Sequence, residues 1–331
     1  MSATDYPVPA WKVVLDGQDL TARIAPRLID LTLTECRGGE ADQLDLVIHD
    51  HDGRMALPKR GVTLSVAIGW QGAGLVNKGT FRVDEVEHAG APDIITIRAR
   101  STDLTRQMRS RRERSWHAST LGAVLRNLAG EHGLKASIAA ALASIAIDHL
   151  DQVNESDVAL LTRLGQRYDA VATVKAGTLL FAPVGSGTTP GGTALPQARI
   201  TRADGDRHRY SVEDRNEYSG CKCFWNDRKR AKRKQVLVGS DDNAFTVRET
   251  FKSEAMARQQ ARSKWQQLQR GAAKFIYQLA LGRADLYPEQ QVTVSGFKPE
   301  IDGQAWLIVQ ATHGISGDGG FTTALEMERV L

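Results

Sequence analysis

The sequence predicts a mainly β protein in which two antiparallel β-barrels flank a small α/β domain. Three observations lead there. Apolar and polar residues alternate with period two along the first and last thirds of the chain, the pattern of strands with one buried face. In the middle the apolar spacing lengthens to that of helices. The flanking thirds also share a pattern. Pro58–Ser65 (PKRGVTLS) lines up with Pro288–Ser295 (PEQQVTVS), and Phe81–His88 lines up with Trp306–His313 when apolar positions 81, 83 and 86 match 306, 308 and 311. Two copies are too few for a solenoid, so the reading is a duplicated β-domain. The expected divisions are 8–105, 106–192 and 193–331.

The elements follow in order. Trp11–Leu15 leads into Asp16-Gly17, a pair suited to the positive φ angles of a tight hairpin. Leu28–Thr34 and Leu44–Ile48 lie either side of the Gly38-Gly39 break. Val62–Ile68 alternates, as do the runs around Phe81, Val83 and Val86 and around Ile95, Ile97 and Ala99. Short strands at this spacing indicate a sandwich or barrel. After Arg114, Ser119 is a candidate cap for a helix through Leu121, Val124, Leu125 and Leu128, with Gly133 as its stop. A second helix starts near Asn154 or Ser156. Val171–Val174 and Leu179–Phe181 form a hairpin about Ala176-Gly177, and 185–192 has linker composition. Strands resume at 210–212, 218–225 and 235–238. One helix, at about 253–270 and capped by Ser253, interrupts them before strands at 291–295, 306–309 and 321–327.

Composition narrows the function classes. Hydrophobic residues are 41% and the net charge is only +4, which excludes a mostly disordered chain. Three cysteines in 331 residues exclude a disulfide framework. The longest apolar stretch, Ile138–Ile147, is about ten residues, and a bilayer helix needs roughly 20. Met1–Tyr6 has neither a basic start nor an apolar run, so no signal peptide is expected and synthesis is placed in the cytoplasm. The mild total charge is unevenly spread. Arg98–Arg114 holds seven arginines against Asp103 and Glu113, and six of the seven residues from Arg228 to Lys234 are basic. The remainder is acidic.

Candidate chemistry is sparse. His49-Asp50-His51-Asp52-Gly53 has metal-capable side chains but neither the spacing of a zinc site nor the closing Glu of a calcium loop, so it reads as a strand end entering a turn. Cys221 and Cys223 share a strand face and read as small buried hydrophobes. The glycines of 185–192 lack the Lys-Ser/Thr of a phosphate loop. No catalytic, metal or cofactor residue is assigned, and no enzyme activity is expected. The basic segments are the candidate sites: Arg109, Arg111, Arg112, Arg114, Arg228, Lys229, Arg230, Lys232, Arg233 and Lys234 are read as docking points for acidic protein surfaces. The alternative is a nucleic-acid-binding regulator, with Trp116, Phe224 and Trp225 stacking bases beside the Arg98–Arg114 and Arg228–Lys234 segments. No nucleic-acid-binding motif frames those residues.

The chain resembles the phage late control protein D family, the tail hub of contractile phage tails and phage-tail-like bacteriocins. Val14–Thr21 (VLDGQDLT), Gly39–Asp50 (GEADQLDLVIHD) followed by Asp52-Gly53, Leu57–Gly69, Gly79–Val86, Asn154–Asp157 and Val174–Pro183 carry the resemblance, which runs from about residue 10 to the C-terminus. Each motif is a strand with a turn; their order and spacing are what is specific. The resemblance implies two tail-tube-like barrels, similar to the hub half of type VI secretion spike proteins. It also implies a homotrimer that joins a six-fold tail tube, or its initiator, to a three-fold spike. The implied partners are the tube protein, a separate trimeric spike, the tape-measure protein and neighbouring baseplate proteins, with no membrane and no specific nucleic acid. Such a ring is expected to have a negative lumen and to carry its basic segments outside it. The implied setting is assembly into a phage tail or an extracellular phage-tail-like particle.

Overall fold

A computed structural model describes residues 6–101, 106–212, 218–227, 230–317 and 320–331. Arg228 and Lys229 lie outside the described residues. The chain is mainly β, as its alternating runs predict. The first β-domain is built from Pro9–Leu15, Leu28–Cys36, Gln43–His49, Thr63–Trp70, Gly74–Ala89 and Ile94–Ser101, with a short strand at Gln18–Asp19. Asp16 and Gly17 both take positive φ, as the first hairpin requires. Inward positions of the alternating runs, among them Leu31, Leu33, Leu44, Leu46, Ile68 and Phe81, form its core.

The second β-domain repeats the first strand for strand. In space the first runs 28–36, 43–49, 94–101, 74–89, 63–70, 9–15; the second runs Gly205–Val212, Ala273–Leu279, Gly320–Arg329, Ala305–Ser316, Gln291–Ser295, Ala198–Thr201. Each position is filled by the strand of the same rank in chain order. Bulges also match. One falls between Val83 and Glu85 and its counterpart between Ile308 and Gln310; another falls between Leu28 and Asp30 and its counterpart between Gly205 and Arg207. One strand departs: Ala198–Thr201 runs parallel to its neighbour, whereas Pro9–Leu15 is antiparallel.

The register corrects half of the sequence alignment. Gly61 N–H donates to Val83 O and Val83 N–H to Val62 O; Glu289 N–H donates to Ile308 O and Ile308 N–H to Gln290 O. Gly61 therefore corresponds to Glu289, and Val62 to Gln290 rather than Val292. The sequence match had slipped by two residues. Side chains alternate with period two, so that slip leaves every face unchanged and the hydrophobic pattern cannot detect it. The 81–88 and 306–313 pairing holds.

The two-barrel expectation is corrected in its closure: no closed barrel is found among the described residues. To close the first β-domain, the outer edge of Leu28–Cys36 would have to pair within that domain. Instead that edge pairs antiparallel with Gln310–Ser316 of the second β-domain, so both belong to one thirteen-stranded sheet.

Two modules hang from this sheet. The middle of the chain forms a two-stranded ribbon, Arg111–Thr120 with Ala146–Ser156, and a three-stranded sheet, Ala170–Lys175, Thr178–Pro183 and Lys135–Ile138. Its helices include Leu121–Glu131, capped by Thr120 rather than Ser119, and Asp157–Tyr168, capped by Ser156. These elements share one core. The 185–192 stretch is tied down: Gly185 N–H donates to Glu289 Oε2 at 2.8 Å. The second module was not foreseen as a unit. Gly220–Asp227, Lys232–Gly239 and Ala244–Phe251 form a separate sheet under the helix Glu254–Gly271, with Cys221 and Cys223 in its own core. It is inserted between the second and third strands of the second β-domain.

Candidate docking surfaces and the buried junction

The first basic segment divides by strand alternation. Arg111 is exposed, while Arg112 and Arg114 turn towards the helices of the middle module. Arg114 donates from Nε to Gln152 Oε1 (2.7 Å), from Nη1 to Glu131 (2.6 Å) and from Nη2 to Asp157 Oδ1 (2.6 Å). Its guanidinium also lies 4.8 Å from the Trp116 ring centroid. Arg112 reaches Glu131 at 2.7 Å. Asp157 is 0% exposed and makes a further contact, 2.7 Å, with His132 Nε2. Burial pushes the Asp157 carboxyl up, but Gln152, His132, Arg114 and Arg112 outweigh it and hold the group below its ordinary value. Arg112 and Arg114 are thus engaged inside the module and half-buried, while Arg111 stays exposed. Trp116 is covered by a cation rather than held open for a base.

The second segment is the tip of the Gly220–Asp227/Lys232–Gly239 hairpin. Lys234 pairs with Asp227 at 2.7 Å and lies over Trp225; Arg233 stacks on Phe224 at 3.9 Å. Arg230, Lys232 and Arg233 remain exposed. The cations and aromatics that suggested base stacking therefore partner one another. Arg109 lies elsewhere. It lines a cleft of about 420 Å³ with Arg60, Arg82 and Arg100, tempered by Asp84, which is 3.6 Å from Arg100. Arg60 and Arg82 come from a different part of the sequence, so this basic cleft is invisible as a charge run. The His49–Asp52 stretch is a turn in which Arg27 donates to both oxygens of Asp52, at 2.7 and 2.6 Å.

Buried polar residues join the modules. Where the two β-domains meet, Lys78 Nζ lies 2.5 Å from Glu35 Oε2, His313 Nε2 lies 3.2 Å from the same oxygen, and His313 Nδ1 is 3.0 Å from Thr323 Oγ1. Burial raises the Glu35 carboxyl, but His313 and Lys78 bring it below its ordinary value. Burial lowers His313, and Lys78 adds to that, which together outweigh the Glu35 carboxylate and hold the imidazole below its ordinary value. Nearby, Arg37 of the first β-domain reaches Glu289 (2.5 Å) and Glu328 (2.6 Å) of the second. Arg270, on the helix of the inserted module, reaches Glu328 at 3.1 Å and grips Asp169 of the middle module. Lys175 and Asp42 form another tie. The available signal was Glu35 itself, a carboxylate on the same phase as Leu31 and Leu33. Its partners, over 40 residues away in sequence, gave none.

Two equivalent β-domains in one sheet, with side modules fastened by buried ion pairs, define a structural scaffold. Solved structures share this fold: a 43 kDa tail protein of a prophage from Shewanella oneidensis has a TM-score of 0.70 at 16% identity, covering 96% of this chain and 97% of that one. A tail protein from Neisseria meningitidis gives 0.71 at 15%, over 97% and 96%. A type VI secretion system component from Escherichia coli gives 0.56 at 14%, over 92% and 74%. The chain belongs to the phage tail baseplate hub (GPD) family, whose model matches residues 43–319. The probable baseplate hub proteins of Escherichia phages 186 and P2 are each 44% identical to it, covering 97% of this chain and 92% and 93% of theirs. The chain is accordingly a structural component of a contractile phage tail, in a family that is not an enzyme class. No helix among the described residues is long and apolar enough to cross a membrane.

Proposed function

We propose that the chain works as a homotrimer that adapts the six-fold tail tube to the three-fold central spike. One observation carries this reading. Each chain holds two β-domains of identical strand order with matched bulges, so three chains offer six equivalent tail-tube-like units to a tube. The other face of the ring, where the chains differ by three-fold symmetry only, suits a trimeric spike supplied as a separate polypeptide. The work is done by surface complementarity, and a ring of this kind needs a heterologous interface that closes. Exposed Arg109, Arg111, Arg230, Lys232 and Arg233 dock acidic surfaces of neighbouring baseplate proteins, away from a lumen that passes the tape measure. Mass measurement with and without the spike protein tests the adaptor. A trimer that captures a trimeric spike is expected; a chain that stays monomeric in both conditions overturns it.

A further inference from the structure

We propose that Arg82 and Arg100, with Arg60 and Arg109 beside them, form a clamp for a carboxylate side chain of another protein chain. This deepens the docking role given above to Arg109 and rests on that reading.

The second β-domain holds the same site in a filled form. Gly61 corresponds to Glu289 and Val83 to Ile308, as their backbone hydrogen bonds fix. One step along the ladder, Arg82 lies opposite Arg100 where Leu307 lies opposite Glu328. Glu289 and Glu328 are the two carboxylates that hold the Arg37 guanidinium, and all three side chains are only 16–17% exposed. In the first β-domain both acids are gone. Arg100 takes the place of Glu328, and Gly61 takes the place of Glu289. Both Gly61 and Glu289 have positive φ, 91° and 73°, so the backbone turns alike and the side chain is what differs. The Arg82 guanidinium covers the gap: a Cβ at residue 61 would lie 3.2 Å from Arg82 Nη2. Two acids around a cation have become two cations around an open cleft.

That cleft calls for an anion. Like charges directly opposite across a ladder destabilise it, and Arg82 and Arg100 are such a pair. All four arginines are exposed. Arg60, Arg82 and Arg109 have no salt-bridge partner among the described residues, and Arg100 has only Asp84, at 3.6 Å in an exposed pair worth little. The volume of about 420 Å³ admits a side chain, and guanidinium forks grip a carboxylate through paired hydrogen bonds. No aromatic residue lines the cleft to stack a base, and the Asp84 carboxylate at its wall opposes a run of phosphates. Asp84 is also the one acid among the described residues that lines it, so the carboxylate comes from another chain.

Fluorescence anisotropy of the full-length chain with a fluorescein-labelled pentaglutamate peptide tests the clamp, with an oligothymidylate of equal charge for comparison. The wild type is expected to prefer the peptide. Arg82→Gln with Arg100→Gln is expected to weaken peptide binding about tenfold. Arg230→Gln with Arg233→Gln, at the hairpin tip, is expected to change it less than about twofold. Gly61→Glu restores the acid of the second β-domain at a matching positive φ. It is expected to engage the arginines from within the chain and to weaken the peptide as strongly. Equal peptide binding by the wild type and both cleft variants overturns the clamp. So does tighter binding of the oligothymidylate that Arg82→Gln with Arg100→Gln abolishes. Mass measurement of Arg82→Glu with Arg100→Glu identifies the source of the carboxylate. Loss of the trimer assigns it to a second copy, and a trimer that no longer captures the spike protein assigns it to the spike. A variant that keeps both overturns the clamp as a docking site and leaves the adaptor reading standing. A wild type that stays monomeric with and without the spike overturns the adaptor reading, and the peptide then decides the clamp by itself.

Discussion

Asp157 shows how a single residue spends a charge run that looked like a binding site. Its carboxylate lies at the start of the Asp157–Tyr168 helix, where a negative charge also suits the helix dipole, and it faces Arg114, Arg112 and His132. Asp157→Ala leaves the Arg114 and Arg112 guanidinium groups without that carboxylate across a desolvated gap, and the middle module is expected to lose about 3 kcal/mol. Arg112 and Arg114 keep some access to water, which places the loss at the low end of a broken buried pair. Denaturant midpoints followed through Trp116 fluorescence measure it, and an unchanged midpoint refutes the role. The Glu35–Lys78–His313 cluster makes a pH prediction. His313 is lowered in the folded state, so acid favours the unfolded chain once the pH falls below its ordinary 6.5. Glu35 is also lowered, so its contribution is present above its ordinary 4.5 and is lost as the pH falls through the folded value. Both act in the same direction. The contact between the β-domains is expected to weaken progressively below about pH 6.5, and His313→Gln to flatten the upper part of that slope in urea titrations.

Elements with one buried face were legible because their chemistry is local. Thr63–Trp70 and Ile94–Ser101 alternate cleanly, and Ser253 and Ser156 cap the helices they precede. Ala244–Phe251 was not legible, since only Phe251 is buried along it and a half-exposed strand leaves little pattern. The separate 218–271 module escaped for another reason: its central strand pairs in parallel with Ala244–Phe251, and such pairing has no sequence mark. The candidate site was legible as charge and not as geometry. Arg112 and Arg114 could be seen, but Glu131, Gln152 and Asp157 reach them only through the fold. Turn chemistry is local too and allows a prediction. Ala176 and Gly177 both adopt positive φ, 49° and 70°, in the two-residue hairpin, a conformation that costs Ala and suits Asn. Ala176→Asn is expected to stabilise the middle module by about 0.5–1 kcal/mol, seen as a raised thermal midpoint. A lower midpoint would show that the strain is offset by a contact of the Ala methyl group.

At the scale of the molecule, one sheet and several cores imply an uneven division of cooperativity. The β-domains share strand pairing, Ala284, Ile315 and Phe321 of the second lie in the core of the first, and Trp70 Nε1–H donates to Gly282 O at 2.8 Å. The middle module keeps its own core, meets the sheet through polar ties such as Lys175–Asp42 and Gly185 N–H to Glu289, and meets the inserted module through Arg270–Asp169. Units joined by a continuous ladder and a shared core should open together, and units joined by a polar surface separately. Leu33 and Leu128 are both fully buried, one in each kind of core. Either truncation to Ala is expected to cost about 2–5 kcal/mol, with different reach. Leu33→Ala should lower hydrogen-exchange protection along Leu28–Cys36 and equally along Gln310–Ser316 and Gly320–Arg329, some 280 residues later in the chain. Leu128→Ala should lower it within 111–183 and leave both β-domains unchanged. If Leu33→Ala opened 9–101 while 273–329 kept full protection, the two β-domains would be separate units that touch. Strain on one β-domain would then not reach the other through one continuous sheet.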